Sequence, residues 1–132
     1  MSTKTSNPKT ELLLGASLEV LHQESQEWQE TIAFWKDESN FFAKLLAKKE
    51  VSDSEYGQML KNLDKIHENL FDYLSDDIIS HEKLLSRLMK GEKGLSDSNY
   101  REQHRKLKDR MELFAKNFKE FKKMVFGYAK KL

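Results

Sequence analysis

Cysteine is absent from the 132 residues, which excludes disulfides and thiolate metal ligation. Proline occurs once, at position 8, so the rest of the chain is free of the strongest helix breaker. Glycine is scarce, with five residues, and Gly91 and Gly94 fall close together as a chain break would require. No apolar stretch approaches the roughly 18 residues of a membrane span, and the polar start Met1 to Lys9 lacks the apolar centre of a secretory signal. Neither sign of charge prevails, the net value being +1. Together these absences lead us to expect one soluble, cytoplasmic domain over residues 1–132.

What the chain has instead is one spacing rule used three times. In alternating steps of four and three, the first run reads Leu14, Leu18, Leu21, Ser25, Trp28, Ile32, Trp35, Ser39, Phe42, Leu46. The second reads Tyr56, Leu60, Leu63, His67, Leu70, Leu74, Asp77, His81, Leu84, Leu88, and the third reads Tyr100, His104, Leu107, Met111, Phe114, Phe118, Phe121, Val125, Tyr128, Leu132. A 3.5-residue period held over about five heptads predicts long helices packed along one seam in the manner of a coiled coil.

Boundary chemistry divides the runs. Asn7 with Pro8, or Thr10 with Glu11, is suited to cap a first helix over about 10–49, with residues 1–7 frayed. Ser52 and Glu55 form a capping box for a second helix over about 53–90. Gly91 and Gly94 end it, and Ser96, Asp97 or Ser98 caps a third over about 97–131. Short connections force neighbouring helices to run antiparallel, so the expected fold class is all-α, an up-down-up three-helix bundle. Pairing Leu46 with Tyr56 fixes a residue-number sum of 102 for the first hairpin, and pairing Leu88 with Tyr100 fixes 188 for the second.

Apolar residues also flank the seams. They stand at Leu13, Val20, Phe34, Phe41 and Leu45 on the first helix. On the second they stand at Met59, Ile66 and Tyr73 on one side and Phe71, Ile78 and Leu85 on the other. Most widen the buried face of a three-helix core, and any left uncovered would recruit a partner helix or a second copy, making a dimer possible.

Six seam positions are polar: Ser25, Ser39, His67, Asp77, His81 and His104. The expected register layers Ser25 with Asp77 and Met111, Leu21 with His81 and Leu107, and Leu18 with Leu84 and His104. His22 lies at the seam edge one turn after Glu19, so three of the four histidines gather near the 91–99 loop end. Two readings follow. In one, His22, Asp77, His81 and His104, with Glu19 or Glu82 assisting, hold a divalent metal such as zinc, iron or manganese. Glu19 to His22 has the Glu-x-x-His spacing of dimetal bundles, although it occurs once where such sites use it twice. In the other, preferred reading the same residues form a buried polar cluster in which Asp77 accepts from Ser25 and from His81 or His104, fixing register without a cofactor. His67, layered with Trp35 and Phe121, reads as a core histidine with its hydrogen bond satisfied.

No glycine-rich phosphate loop or nucleophile elbow occurs, and adjacent acids such as Asp76 and Asp77 diverge on a helix, so no enzyme is expected. Charge is unevenly spread. Residues 11–50 carry four Lys against eight acids, residues 53–91 five basic against eight, and residues 100–132 eleven against four. A basic third helix lying between two acidic ones accounts for this asymmetry. Nucleic acid is not the expected partner, because Phe114, Phe118 and Phe121 belong to the seam and are not free to stack on bases.

The segment Leu21 to Trp28, followed by Ile32 to Glu38 with its W-x6-W-K-D-E pattern, resembles the opening of an uncharacterised family of small bacterial helical-bundle proteins. Asp77-Ile78-Ile79-Ser80-His81-Glu82 is similar to a second motif of that family. The resemblance implies a helical hairpin, and a further histidine at the position held here by Ser25, but no activity. The functional expectation is a protein-interaction or scaffold module, with protein partners or self-association, and metal binding as the alternative.

Overall fold

A computed structural model describes residues 17–48 and 53–131. It contains three helices, α1 (Leu18–Leu46), α2 (Glu55–Met89) and α3 (Asp97–Ala129), and no strand among the described residues. Leu13, Leu14, the candidate caps Asn7 and Thr10, Ser52 and Leu132 lie outside those residues.

Each helix begins at a serine. Ser17, Ser54 and Ser96 accept hydrogen bonds from the backbone N–H of Val20, Gly57 and Asn99, satisfying one of the donors that an N-terminus leaves free. Helix α2 is capped by Ser54 and runs from Glu55, while the capping box expected at Ser52 lies outside the described residues. At the far end of α2 the Gly91 N–H bonds to the Leu88 carbonyl and the Glu92 N–H to the Arg87 carbonyl. This double closure needs a left-handed residue after the cap, and Gly91 supplies it at φ 76°. Gly94, at φ 85°, turns the chain again before Ser96.

Lateral contacts establish the up-down-up order. Gln29 meets Ser75 and Ser39 meets Asp64, so α1 and α2 are antiparallel. Glu24 meets Lys108 and, further along both chains in the same sense, Glu38 meets Lys122, so α1 and α3 are parallel. These two ion pairs, with Arg110–Asp77 at 2.8 Å, are contacts of the basic third helix with its acidic neighbours. Each is partly exposed and worth about 0–1 kcal/mol, enough to orient helices but not to hold them together.

The core follows the expected seams of α1 and α3 closely. Leu21, Ser25, Trp28, Ile32, Trp35, Ser39, Phe42 and Leu46 are buried on α1, and Tyr100, His104, Leu107, Met111, Phe118, Phe121 and Val125 on α3. At mid-length Trp35, Phe71 and Phe118, one from each helix, pack with ring centroids 5.0 to 6.2 Å apart.

Helix α2 departs from expectation. Its buried residues are Gly57, Leu60, Asp64, Phe71, Leu74, Ile78, His81 and Leu85, while Tyr56, Leu70 and Asp77 are exposed and Leu63, Leu84 and Leu88 half-buried. The helix is thus turned so that every second expected seam position yields to the residue after it. The physical reason is visible in what changes places. Phe71, Ile78 and Leu85 enter, each worth about 1.5–3 kcal/mol when fully buried. Asp77 leaves for an exposed pair with Arg110. Asp64 enters in its stead and accepts a hydrogen bond from the Ser39 hydroxyl at 2.8 Å.

The register departs locally. The α1–α2 pairs sum to 103 for Ser39 with Asp64 and 104 for Gln29 with Ser75, near the expected 102. His81 with His104 sums to 185, three below expectation, while His67 with Phe121 keeps the expected 188, so the two histidines meet between neighbouring layers without a slide of α3 as a whole. His104 thereby bonds to His81 instead of lying level with Leu84. The expected layer of Ser25, Asp77 and Met111 does not form.

Candidate functional site

The polar side chains that the sequence singles out meet where the last turns of α2 lie against the first turns of α3, with α1 closing the third side. His81 of α2 and His104 of α3 are both buried, and His81 Nε2 stands 3.0 Å from His104 Nδ1. His104 Nε2 lies 2.7 Å from Glu24 Oε1 on α1, and the other carboxylate oxygen of Glu24 takes Lys108 Nζ at 3.3 Å. The rings are clamped from both sides: Trp28 stacks on His104 at 4.5 Å, and Tyr100 lies parallel to His81 at 4.2 Å and 3°.

This network assigns the protons. A carboxylate only accepts, so His104 Nε2 carries the hydrogen donated to Glu24. A neutral imidazole has one N–H, which leaves His104 Nδ1 as acceptor and makes His81 Nε2 the donor to it. His81 Nδ1 is then a bare lone pair, and it is buried without a hydrogen-bond partner. Both rings are held neutral. Burial pushes His81 down to about 4, helped by its neighbour His104. Burial also lowers His104, outweighing the opposing pull of Glu24, so the contact with Glu24 is a hydrogen bond from a neutral ring and not an ion pair. Tyr100 is raised, again by burial, and keeps its proton.

Among the described residues three further buried polar atoms lack partners: Ser25 Oγ, Glu82 Oε1 and Tyr100 Oη. Ser25 lies in the α1 stretch that packs here, Glu82 follows His81, and Tyr100 stacks on it. The polar groups left unsatisfied are thus concentrated at this end of the bundle, where each costs about 1–3 kcal/mol. The opposite polar pair, Ser39 with Asp64, has its bond. Desolvation still raises the Asp64 carboxyl to about 6.

Of the expected metal ligands, the structure unites His81 and His104. His22 is half-buried and paired through Nδ1 with Glu82, between α1 and α2, and Glu19 lines the same cleft of about 460 Å³. Asp77 is exposed with Arg110, so its expected place as a buried acceptor for Ser25 and the histidines is corrected. Among the described residues no three His, Asp or Glu side chains gather as a metal ion would require. His67 is as expected: its Nδ1 lies 2.9 Å from the Leu63 carbonyl, and its ring packs 4.9 Å from Phe121.

Two members of the network went unread in the sequence. Glu24 stands one position before a seam residue, on the flank of α1 that faces the basic helix. Glu38, fourteen residues on, has the same station and the same kind of partner, so the repeat was a usable signal. Tyr100 was read only as a seam residue. Its hydroxyl marks it as part of the polar layer.

Chemically, the cluster orients two neutral imidazoles and points their hydrogen-bond direction toward Glu24. Its one free nitrogen is shut off from solvent. Such an arrangement is suited to fixing how the three helices meet. No family model, curated protein or solved structure matches this chain.

Proposed function

We propose that this chain is a non-catalytic helical interaction module, a rod that binds a partner through apolar side chains on the outer face of α2. The observation that carries the reading is a second seam. Tyr56, Met59, Leu63, Ile66, Leu70 and Tyr73 follow one another in steps of three and four, the same rule that builds the core, and all but the half-buried Leu63 are exposed beside it. Tyr56, Met59, Ile66, Leu70 and Tyr73 are 42, 39, 52, 39 and 66% exposed. Taking about 190 Å² for each side chain in full, they present on the order of 450 Å² of largely apolar surface, the size of the largest patch on a typical monomer, which is often functional. The turn of α2 that buries Phe71 and Ile78 is what sets this stripe outside. The polar layer at His81 and His104 supports the reading, since it pins the α2–α3 register.

Replacing Ile66 by a photo-reactive amino acid and irradiating cells that express the chain tests it. A discrete higher-mass adduct is expected at position 66 and none at Lys119, on the exposed face of α3. Absence of any adduct at 66 would overturn the reading.

A second reading, metal binding at His81 and His104, would require their hydrogen bond to open, since the two facing nitrogens 3.0 Å apart now share one proton. A third ligand would have to be recruited by movement of Glu24 or Glu82. Elemental analysis of untagged protein purified without chelator decides it: one equivalent of a transition metal supports the reading, and none refutes it.

A further inference from the structure

We infer that the loop end of the bundle, built from residues 18–24 and 82–103, is a cooperative unit of its own that opens at the His81–His104 layer while the rest of the rod stays folded. The inference rests on how the core is divided. Among the described residues the buried apolar side chains form two clusters that do not merge. The larger begins at Trp28, Ile78 and Leu107 and continues to the opposite end of the rod, at Leu46, Leu60 and Val125. The smaller holds Leu21, Leu85 and Tyr100, with Leu18, Leu84 and Leu88 packed half-buried against it.

What divides them is one buried polar residue on each helix. Ser25 stands between Leu21 and Trp28 on α1, His81 between Ile78 and Leu85 on α2, and His104 between Tyr100 and Leu107 on α3. All three seams are therefore interrupted between the same two clusters. The boundary runs through the hydrogen bond of the imidazoles: His104 stacks on Trp28 of the larger cluster, and His81 on Tyr100 of the smaller.

The energetics favour a break at this level. Parting an apolar layer takes burial away from both sides and returns nothing. This layer already holds Ser25 Oγ and His81 Nδ1 without partners, and Tyr100 Oη lacks one beside them. Water satisfies all three once the end opens, so the break recovers part of its cost. The end is also held by far fewer buried apolar side chains than the rest, and local stability follows such contacts. Opening bares Leu21, Leu85 and Tyr100 next to Val20 and Met89, which are exposed already. Residues 56–73 lie on the other side of the layer and keep their place. The closed chain thus holds back a second apolar surface that local opening, and not global unfolding, releases.

Amide hydrogen exchange of the full chain in rising, sub-denaturing urea tests the proposal. An opened end frees amides up to residue 28 on α1 and 107 on α3, whose acceptors are carbonyls four residues earlier. Amides of residues 22–28, 83–88 and 101–107 are expected to share one opening constant, at least about 100-fold above that of residues 32–42, 64–78 and 111–125, with a shallower dependence on urea. Ile32→Val weakens only the larger cluster, so it should speed exchange of the second set about fivefold and leave the first set unchanged. A single rate and urea slope for both sets would overturn the separate unit, and so would Ile32→Val speeding both alike. Exchange that rises gradually toward Leu18 and Met89 would mean fraying of single helices and would overturn it too. A step placed elsewhere than between residues 78 and 83 of α2 would overturn the histidine layer as the boundary.

Discussion

Two buried ionisable groups make opposite demands on pH, and their opposition yields a sharp prediction for Asp64→Asn. Asp64 is 4% exposed and titrates near 6 in the folded chain, against an ordinary 3.8. Between those values the folded state binds more protons than the unfolded one, so this group adds stability as pH falls from about 6 toward 4. His81 is 3% exposed and titrates near 4, against an ordinary 6.5. There the unfolded state binds more protons, so its contribution is complete above 6.5 and is lost as pH falls toward 4. His104, lowered by burial, acts in the same direction as His81.

Between pH 7 and pH 5 the His81 term removes about 2 kcal/mol and the Asp64 term returns about 1 kcal/mol. The wild type is thus partly buffered against mild acid. Asp64→Asn keeps an oxygen to accept from Ser39 but abolishes the compensating proton uptake. Urea unfolding at pH 7, 6 and 5 should show the variant losing about 1 kcal/mol more than wild type over the interval, a difference from which the other titrating groups cancel. A variant whose stability falls no more steeply than that of the wild type would refute the protonation scheme.

Other substitutions probe the site and the packing. Glu24→Leu removes the acceptor that sets the tautomer of His104; it should cost about 1–3 kcal/mol, and nitrogen NMR should show the His104 proton no longer confined to Nε2. Asp77→Asn should cost less than about 1 kcal/mol, as expected for an exposed pair, and a loss of 3 kcal/mol or more in a chemical melt would return Asp77 to the interior. Gly91→Ala places a side chain at φ 76° and should lower stability by about 1 kcal/mol through strain in the helix stop, measurable in the same melts.

Helices α1 and α3 were legible because each offers one continuous set of positions able to make a core, the apolar flank Val20, Phe34 and Phe41 of α1 being broken by Glu27. On α1 the alternatives to Trp28, Ile32 and Trp35 include Lys36 and Asp37, so charge excluded other faces. Helix α2 was ambiguous for a physical reason. Tyr56, Leu63, Leu70 and Leu84 lie on one side of Leu60, Leu74 and His81, and Phe71, Ile78 and Leu85 on the other, with comparable hydrophobicity. The choice depends on whether Asp64 or Asp77 is easier to bury, and that depends on Ser39 of another helix. Register was underdetermined for a related reason. Sliding one heptad seam past another by half a repeat brings apolar residues opposite apolar residues again, so periodicity alone does not separate a pair sum of 185 from 188. The histidines were recognisable as seam residues, but their bond to each other joins neighbouring layers, which the spacing alone does not reveal. Glu24 depended on knowing which flank of α1 faces α3.

Helix α2 has one apolar face inside and another outside, divided between the adjacent residues Leu70 and Phe71. The most direct test replaces each in turn by lysine and follows helicity on heating. Leu70→Lys should fold with a midpoint close to that of the wild type, since its side chain stands in the outer stripe. Phe71→Lys should fail to fold or melt at least 15 °C lower, from the loss of a fully buried ring worth about 3–5 kcal/mol. The reverse outcome, Leu70→Lys unfolded and Phe71→Lys native, would contradict the orientation of α2 and with it the stripe on which the interaction depends.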